Sequence, residues 1–366
     1  MSKKKSELQE AADRIAALVN LTNAKINEMG NYAYSMNNIL SIIQNQFDKI
    51  RNVPSDTKRE FEKAKEVRLE WKHQVDKIES DYNTAAKVNV STGAAGTGLG
   101  VGVAALGPTA AMSFATTFGV ASTGTAISTL SGAAATNAAL AWLGGGTLAA
   151  GGGGMAGGTA LLALAGPVGW SIAGVAILGS GLMFWKAKTE KERLENVFKS
   201  VSKRDEDKYK LAIVELDERN KRILDESTKL SDAIVEIGTF GLDYEAMTEQ
   251  QQYTLGSYVN LMNSSAQLLV NPILGLQPNY TEADLETYIS SNNIETEYLS
   301  KKELIVNFSN LLYKIDTDEK DRKLLSESFK DNKEFREQMK LEKKDLEVGL
   351  FNVVDKALKF AYSKKK

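Results

Sequence analysis

Apolar side chains recur at three- and four-residue steps over most of this chain, which is the periodicity of amphipathic helices. The first such stretch runs from Ser6 to about Ile50, and the turn at Pro54-Ser55-Asp56 supplies the N-cap of a second helix. That second helix contains four apolar residues at the spacing of a coiled-coil seam, namely Trp71, Val75, Ile78 and Tyr82. We therefore expect two long helices before residue 88.

A heptad pattern also marks the helix predicted from Lys186 to about Ile237. Its apolar residues at seven-residue intervals are Leu216, Ile223, Leu230 and Ile237. Two helices of this kind on either side of residues 88–185 predict an antiparallel coiled-coil stalk with the intervening segment at its tip. The alternative is the core stripe of an ordinary helical bundle, and both interpretations are all-α.

The remainder of the chain is divided by helix breakers, namely Gly241-Leu242-Asp243, Pro272 and Pro278. The helices predicted between and after them are Met247 to Val270, Glu282 to Ile289, Glu297 to Ile315 and Leu324 to Tyr362. The chain thus divides into N-terminal amphipathic helices (1–87), an uncharged segment (88–185), charged coiled-coil helices (186–270) and a C-terminal helical region (271–366).

The second of these regions has an unusual composition. No Asp, Glu, Lys, Arg or His occurs among the 98 residues from Val88 to Trp185, although 25% of the whole chain is charged. At that frequency such a run would arise by chance about once in 10¹² trials. The same region holds 23 of the 29 glycines. The chain therefore joins charged helices to one long uncharged segment rich in Gly and Ala.

Thr159 to Trp185 is the most hydrophobic part of the uncharged segment. As a helix, these 27 residues would extend about 40 Å, more than the roughly 30 Å hydrocarbon thickness of a bilayer. An aromatic end followed by Lys186 and Lys188 is typical of a membrane interface, where these two lysines would act as anchors. The candidate membrane-inserting residues are Leu161, Leu164, Val168, Trp170, Ile172, Val175, Ile177, Leu178, Leu182, Phe184 and Trp185.

Glycines and prolines suggest where membrane helices would pack or bend. Small residues let helix backbones approach closely in lipid, and Gly-Pro pairs loosen the helix. The candidate packing and hinge residues are Gly107, Pro108, Gly166, Pro167, Gly169, Gly174 and Gly181. Gly93 to Val120 is a weaker span, which favours storage in a water-soluble fold before insertion. Two spans would form a hairpin and leave both charged arms on one side of the membrane.

A flexible linker or a phosphate-binding loop would fit the uncharged segment less well. A linker would not be as apolar as Thr159 to Trp185, and a phosphate-binding loop needs a lysine that the segment lacks. No catalytic motif occurs, and the chain has no cysteine and a single histidine, His73. Asp316, Asp318 and Asp321 lack the glycine and final glutamate of a calcium loop and fit a helix N-terminus better. We expect no enzyme activity, no metal and no cofactor.

Partners and location follow from the same features. The sequence predicts contact with a lipid bilayer, homo-oligomers and a protein partner or trigger, and a net charge of -2 argues against nucleic acid. The residues from Met1 to Glu7 lack the apolar stretch of a secretory signal. We expect synthesis in the cytoplasm, followed by association with a membrane or release by another route.

Charged helices on either side of a mid-chain hydrophobic hairpin resemble the α-helical pore-forming toxins of the cytolysin A (haemolysin E) type. The resemblance is one of architecture, with Ser6 to Lys87 and Lys186 to Val270 as the bundle and Val88 to Trp185 as the inserting head. The uncharged segment here is longer and richer in glycine than that family's tongue. Thr123 to Gly158 also resembles the glycine-zipper segments of bacterial membrane-active proteins.

The resulting hypothesis is a protein that permeabilises a bilayer by inserting and oligomerising its uncharged segment, either as a toxin or as a self-killing defence effector. The alternative is a constitutive inner-membrane scaffold whose coiled-coil arms bind protein partners without forming a pore.

Overall fold

The computed structural model describes residues 7–69, 71–72, 188–271, 275, 279–280, 282–292, 298, 301–333, 336 and 341–364. Over these residues the chain is all-α, as predicted, with no β-strand and a single isolated parallel bridge between Arg51 and Asp243. The uncharged segment, and with it the predicted hairpin, lies outside the described residues.

Eight α-helices follow one another in the described ranges, and two short 3-10 turns lie between them. They are α1 (Glu7–Phe47), α2 (55–69 and 71–72), α3 (Lys188–Ile237), α4 (Glu249–Val270), α5 (Glu282–Ser291), α6 (Lys302–Leu312), α7 (Glu319–Asp331) and α8 (Val348–Lys364). The 3-10 turns are Tyr244–Ala246 and Lys343–Leu346. The boundaries of α1, α3 and α4 lie within three residues of those expected from the pattern of apolar positions.

The prediction of a single helix from Leu324 to Tyr362 is wrong, because the chain forms two separate helices there, α7 and α8. Phe329 of α7 and Phe351 of α8 stack with ring centroids 6.2 Å apart, which requires the chain to turn back between them. Asn332 takes an extended conformation and ends α7. Glu342 and Asp345 then form a reciprocal capping pair at the 3-10 turn before α8.

Helices α1 and α3 run parallel in one fixed register. Lys199 pairs with Glu7 at 2.6 Å, Glu206 with Arg14 at 3.4 Å and Asp217 with Lys25 at 2.6 Å. The partners in each pair are 192 positions apart, so the register of α1 against α3 is constant over at least three turns.

Helix α2 folds back along α1. Phe61 stacks on Phe47 with centroids 4.1 Å apart, and Trp71 meets Tyr34 edge-on at 5.8 Å. Since α1 is parallel to α3, α2 runs opposite to α3, which agrees with the direction predicted for the two arms of the stalk. Helix α4 also runs opposite to α3, because Ser265 bonds Glu226 while Tyr258 bonds Glu236.

Helix α3 is shared by two hydrophobic cores. At about 75 Å for its 50 residues, it is long enough to serve both. The bundle core lies along its C-terminal half, where the heptad residues are buried against α1, α2 and α4, namely Leu216, Ile223, Leu230 and Ile237. The C-terminal core lies around the start of α3. It is built with α5 to α8, which we call the C-terminal module, and also includes Leu8 of α1.

Gly275 marks the point where the chain passes from α4 to the C-terminal module. Its amide donates to Glu215 at 2.8 Å, and a methyl group added to it would lie 2.6 Å from the Ala212 amide nitrogen of α3. Gly256, within α4, has open space around the same position. The two glycines therefore form a matched pair for substitution by alanine, since only one of them lies close to another helix.

We expect Gly275→Ala to lower the free energy of unfolding by about 1 to 3 kcal/mol, because the new methyl group would overlap the α3 backbone. Gly256→Ala should raise it by about 1 kcal/mol, since alanine is the better helix former. Denaturant unfolding of the full chain measures both changes. Equal effects of the two substitutions would contradict the close approach at Ala212.

Candidate functional site

Almost all of the residues predicted to insert, pack or bend in the membrane belong to 88–185, and they lie outside the described residues together with Lys186. Lys188, the second predicted anchor, is the first residue of α3. Its side chain is 90% exposed and its ammonium lies 3.7 Å from the Glu192 carboxylate. A solvated lysine at this position is compatible with its predicted role at an interface.

The described residues contain no helix with the length and hydropathy needed to cross a bilayer. They also contain no group of His, Cys, Asp or Glu side chains suited to a metal ion. The acidic cluster near residue 318 is explained by the helix that follows it. Asp318 is the N-cap of α7 and forms a capping box with Asp321, which is the helix N-terminal role expected from the sequence.

One side of α3 carries three arginines that bind the ends of other helices. Arg193, Arg204 and Arg219 are 11 and 15 positions apart, which places them within about 80° of one another around the helix. Each of them binds the end of a different helix in the C-terminal half of the chain. We call these three residues the arginine row.

Arg193 binds the beginning of α7. Its guanidinium donates to Asp321 at 2.9 Å and also to Asp318. The Asp318 carboxylate accepts a hydrogen bond from the Asp321 amide, and this bond together with Arg193 lowers the pKa of Asp318 to about 2. The contact is solvated, with one third of the Arg193 side chain exposed. Arg193 thus links the second turn of α3 to the N-terminus of a helix in the C-terminal module.

Arg204 binds the end of α6. Its terminal nitrogen donates to the carbonyl oxygens of Leu311 at 2.9 Å and Tyr313 at 2.7 Å. Carbonyls at the end of a helix have no partner within the helix, so the arginine satisfies groups that would otherwise need water. The amide of Lys314 next to them donates to the Tyr362 hydroxyl at the end of α8. One arginine of α3 therefore meets the point where α6 and α8 converge.

A charge cluster on α3 consists of Arg204, Asp205 and Lys208, of which Asp205 is buried and the other two are half-buried. Asp205 is completely buried, and one of its oxygens accepts from Arg204 at 2.8 Å while the other has no hydrogen-bond partner. Burial raises the pKa of Asp205 to about 6 and lowers the pKa of Lys208 to about 8. Lys208 donates to Asn279 at 3.4 Å, where the C-terminal module begins. Buried charges of this kind cost desolvation free energy that their pairing returns only in part.

Arg219 binds the end of α4. It donates to the carbonyl oxygens of Leu268 and Asn271, both at 2.9 Å. Burial lowers the pKa of this guanidinium. Within the arginine row, Arg219 therefore binds a helix of the bundle core, whereas Arg193 and Arg204 bind helices of the C-terminal module.

The arrangement is a joint between helices, because most of its groups bind helix ends or pair with one another. Its geometry suits a contact that holds or releases the C-terminal module beside the chain's exit from the uncharged segment. No known protein family, no curated protein and no solved structure matches this chain. The signal for the joint in the sequence is weak, since the arginines recur on one side of α3 but their targets are backbone groups of distant helices.

We expect Asp205→Asn to reveal the buried carboxylate through the pH dependence of stability. With its pKa raised by burial, Asp205 contributes stability that is present below its unfolded pKa and is lost as the pH rises through about 6. From pH 4 to pH 7, the free energy of unfolding of the wild type should fall by about 2 to 3 kcal/mol relative to Asp205→Asn. Denaturant unfolding at a series of pH values measures this difference.

Glu206→Gln is the matched control, one residue away. A hydrogen bond from Lys210 lowers the pKa of Glu206, so its contribution is present above the unfolded pKa and is lost as the pH falls. Its difference curve should slope in the opposite direction. A flat curve for Asp205→Asn would mean that water reaches this carboxylate in the folded protein.

Proposed function

We propose that this protein permeabilises a lipid bilayer by inserting and oligomerising its uncharged segment, residues 88–185. The observation that carries the proposal is the complete separation of charge along the chain. All 92 Asp, Glu, Lys and Arg residues lie outside a run of 98 residues. Hydrocarbon is the solvent in which a charged side chain is most costly, at about 3 kcal/mol or more at the middle of a span.

The charged part of the chain supports the proposal by its organisation. Two hydrophobic cores among the described residues give the helical body its own packing. The uncharged segment, by contrast, carries the strongest apolar sequence in the chain at 159–185. A body of this kind can present such a segment to a membrane while remaining folded in water.

The direction of the helices supports a hairpin. Helix α2 runs opposite to α1 and therefore points, at residue 72, toward the end of the body where α3 begins. Lys188, at that end, follows Trp185 by three positions. Both connections to the uncharged segment are thus directed to one end of the body, as two antiparallel spans would require.

We expect purified protein to release a trapped dye from liposomes, and Val175→Asp or Ile177→Lys to abolish the release. A charge at the middle of the span should prevent insertion, since it costs about 3 kcal/mol or more in hydrocarbon. The matched controls are Val235→Asp and Val214→Lys on α3, where the side chains are 73% and 65% exposed. These two variants should release dye like the wild type.

The same experiment separates the proposal from a constitutive scaffold. If Val175→Asp and Ile177→Lys release dye as fast as the controls, 159–185 is not the inserting element. If the wild type fractionates entirely with membranes and releases no dye under any condition, the scaffold function is favoured instead.

A further inference from the structure

We propose that one side of α3, formed by Leu194, Val197, Phe198 and Val201, is a self-association surface that the C-terminal module covers in the single chain. The module would thereby prevent copies from assembling until it moves away. We call these four residues the covered stripe. This inference rests on the proposed function, which requires copies of the chain to assemble.

The position of the covered stripe suits contact between copies. Leu194 and Val201 lie about 9 and 20 Å along α3 from Lys188, its first described residue. Since Lys188 closely follows the uncharged segment, chains that insert side by side must approach one another near this part of α3. The bundle core lies farther along the helix, from Ala212 onward.

The pattern of the covered stripe suits a second helix. Its other members lie three, four and seven positions after Leu194, and all four are buried, with 6% exposure at most. A stripe of this kind is what a second α-helix packs against in a coiled coil. In the single chain the place of that helix is taken mainly by the C-terminal module, where Phe329 meets Phe198 edge-on at 6.5 Å, and Leu8 of α1 belongs to the same cluster.

Charged groups at both ends of the covered stripe hold the C-terminal module in place. Arg193 at one end is partly solvated, and exposed ion pairs contribute little to stability. Asp205 at the other end is buried and Lys208 is half-buried, at a cost in desolvation that is recovered when water returns. The contact of α3 with α1 is longer, with ion pairs at Glu7, Arg14 and Lys25 as well as the apolar heptad residues from Leu216 to Ile237. The module is therefore the part of the structure best suited to leave α3.

Charge complementarity favours a second copy as the occupant. Residues of both signs border the covered stripe, with Lys191, Glu192, Glu195 and Lys199 within one or two turns. Lys191 and Glu195 already lie 3.8 Å apart along the helix. Identical helices packed along this stripe can pair these charges with each other, as flanking charges do in coiled coils.

The test is the double variant Arg193→Gln, Arg204→Gln in the full chain, with Arg219→Gln as the matched control. The control removes the same kind of helix-end contact from the same helix, but its partner is α4. We expect hydrogen exchange of amides 194–201 to rise by about tenfold or more in the double variant, given what a lost charged hydrogen bond contributes. Sedimentation in detergent-free buffer should show a matching rise in self-association, whereas Arg219→Gln should change neither.

A milder variant covers the case in which the double variant fails to fold. Asp321→Asn weakens the contact of Arg193 from the module side and leaves α3 intact. It should raise exchange at 194–201 and self-association in the same direction. If exchange at 194–201 rises in either variant and the protein stays monomeric at all concentrations, or if exchange does not change in either, the inference is overturned.

Dye release separates this inference from the proposed function. If the variants self-associate more strongly and neither they nor the wild type releases dye, the covered stripe stands and membrane permeabilisation fails. If all of them release dye equally and self-association is unchanged, permeabilisation stands and the covered stripe fails.

Discussion

One helix, α3, has to satisfy two hydrophobic cores at once, and the rest of the structure follows from that constraint. A residue step around a helix is about 100°, so a shift of α1 by a single position would turn its apolar side away from α3. The ion pairs of Glu7, Arg14 and Lys25 with α3 all keep the same separation of 192 positions. The register found at one end of α3 is therefore the register at the other. Helix α3 therefore fixes the position of each core relative to the other.

The two ends of α3 differ in the interactions that hold their neighbours in place. Near Leu230 the contacts are apolar, and burial of hydrocarbon from water stabilises them without any requirement for paired charges. Near Arg204 the apolar contacts of the C-terminal core are accompanied by hydrogen bonds to backbone carbonyls, a buried carboxylate and a half-buried lysine. Hydrogen bonds of this kind are directional, and their net contribution is small because water competes for the same groups. The C-terminal module is thus held by an apolar core and, at its edge, by polar contacts whose strength depends on pH, beside the residue where α3 follows the uncharged segment.

The proposed function and the covered stripe both involve the start of α3. A segment without charge needs lipid or protein around it, and the helix that follows it needs a partner for Leu194, Val197, Phe198 and Val201. In the single chain, the C-terminal module supplies that partner. On the proposed function, insertion and assembly would be linked through α3, because the end that follows the uncharged segment would also be the end whose apolar side changes partner.

Local pattern in the sequence determined the helices, their approximate ends and the separation of charge. Leu216, Ile223, Leu230 and Ile237 are buried as their spacing predicts, and Asp318 caps α7 as its position before an amphipathic stretch predicts. These features depend on neighbours a few residues apart, which a sequence displays directly. Only the tertiary structure decided that α1 and α3 are parallel, that α7 and α8 are two helices sharing one core, and that Arg204 reaches carbonyls 107 and 109 positions away. Backbone carbonyls are the same in every residue, so no pattern of side chains can indicate which of them an arginine will bind.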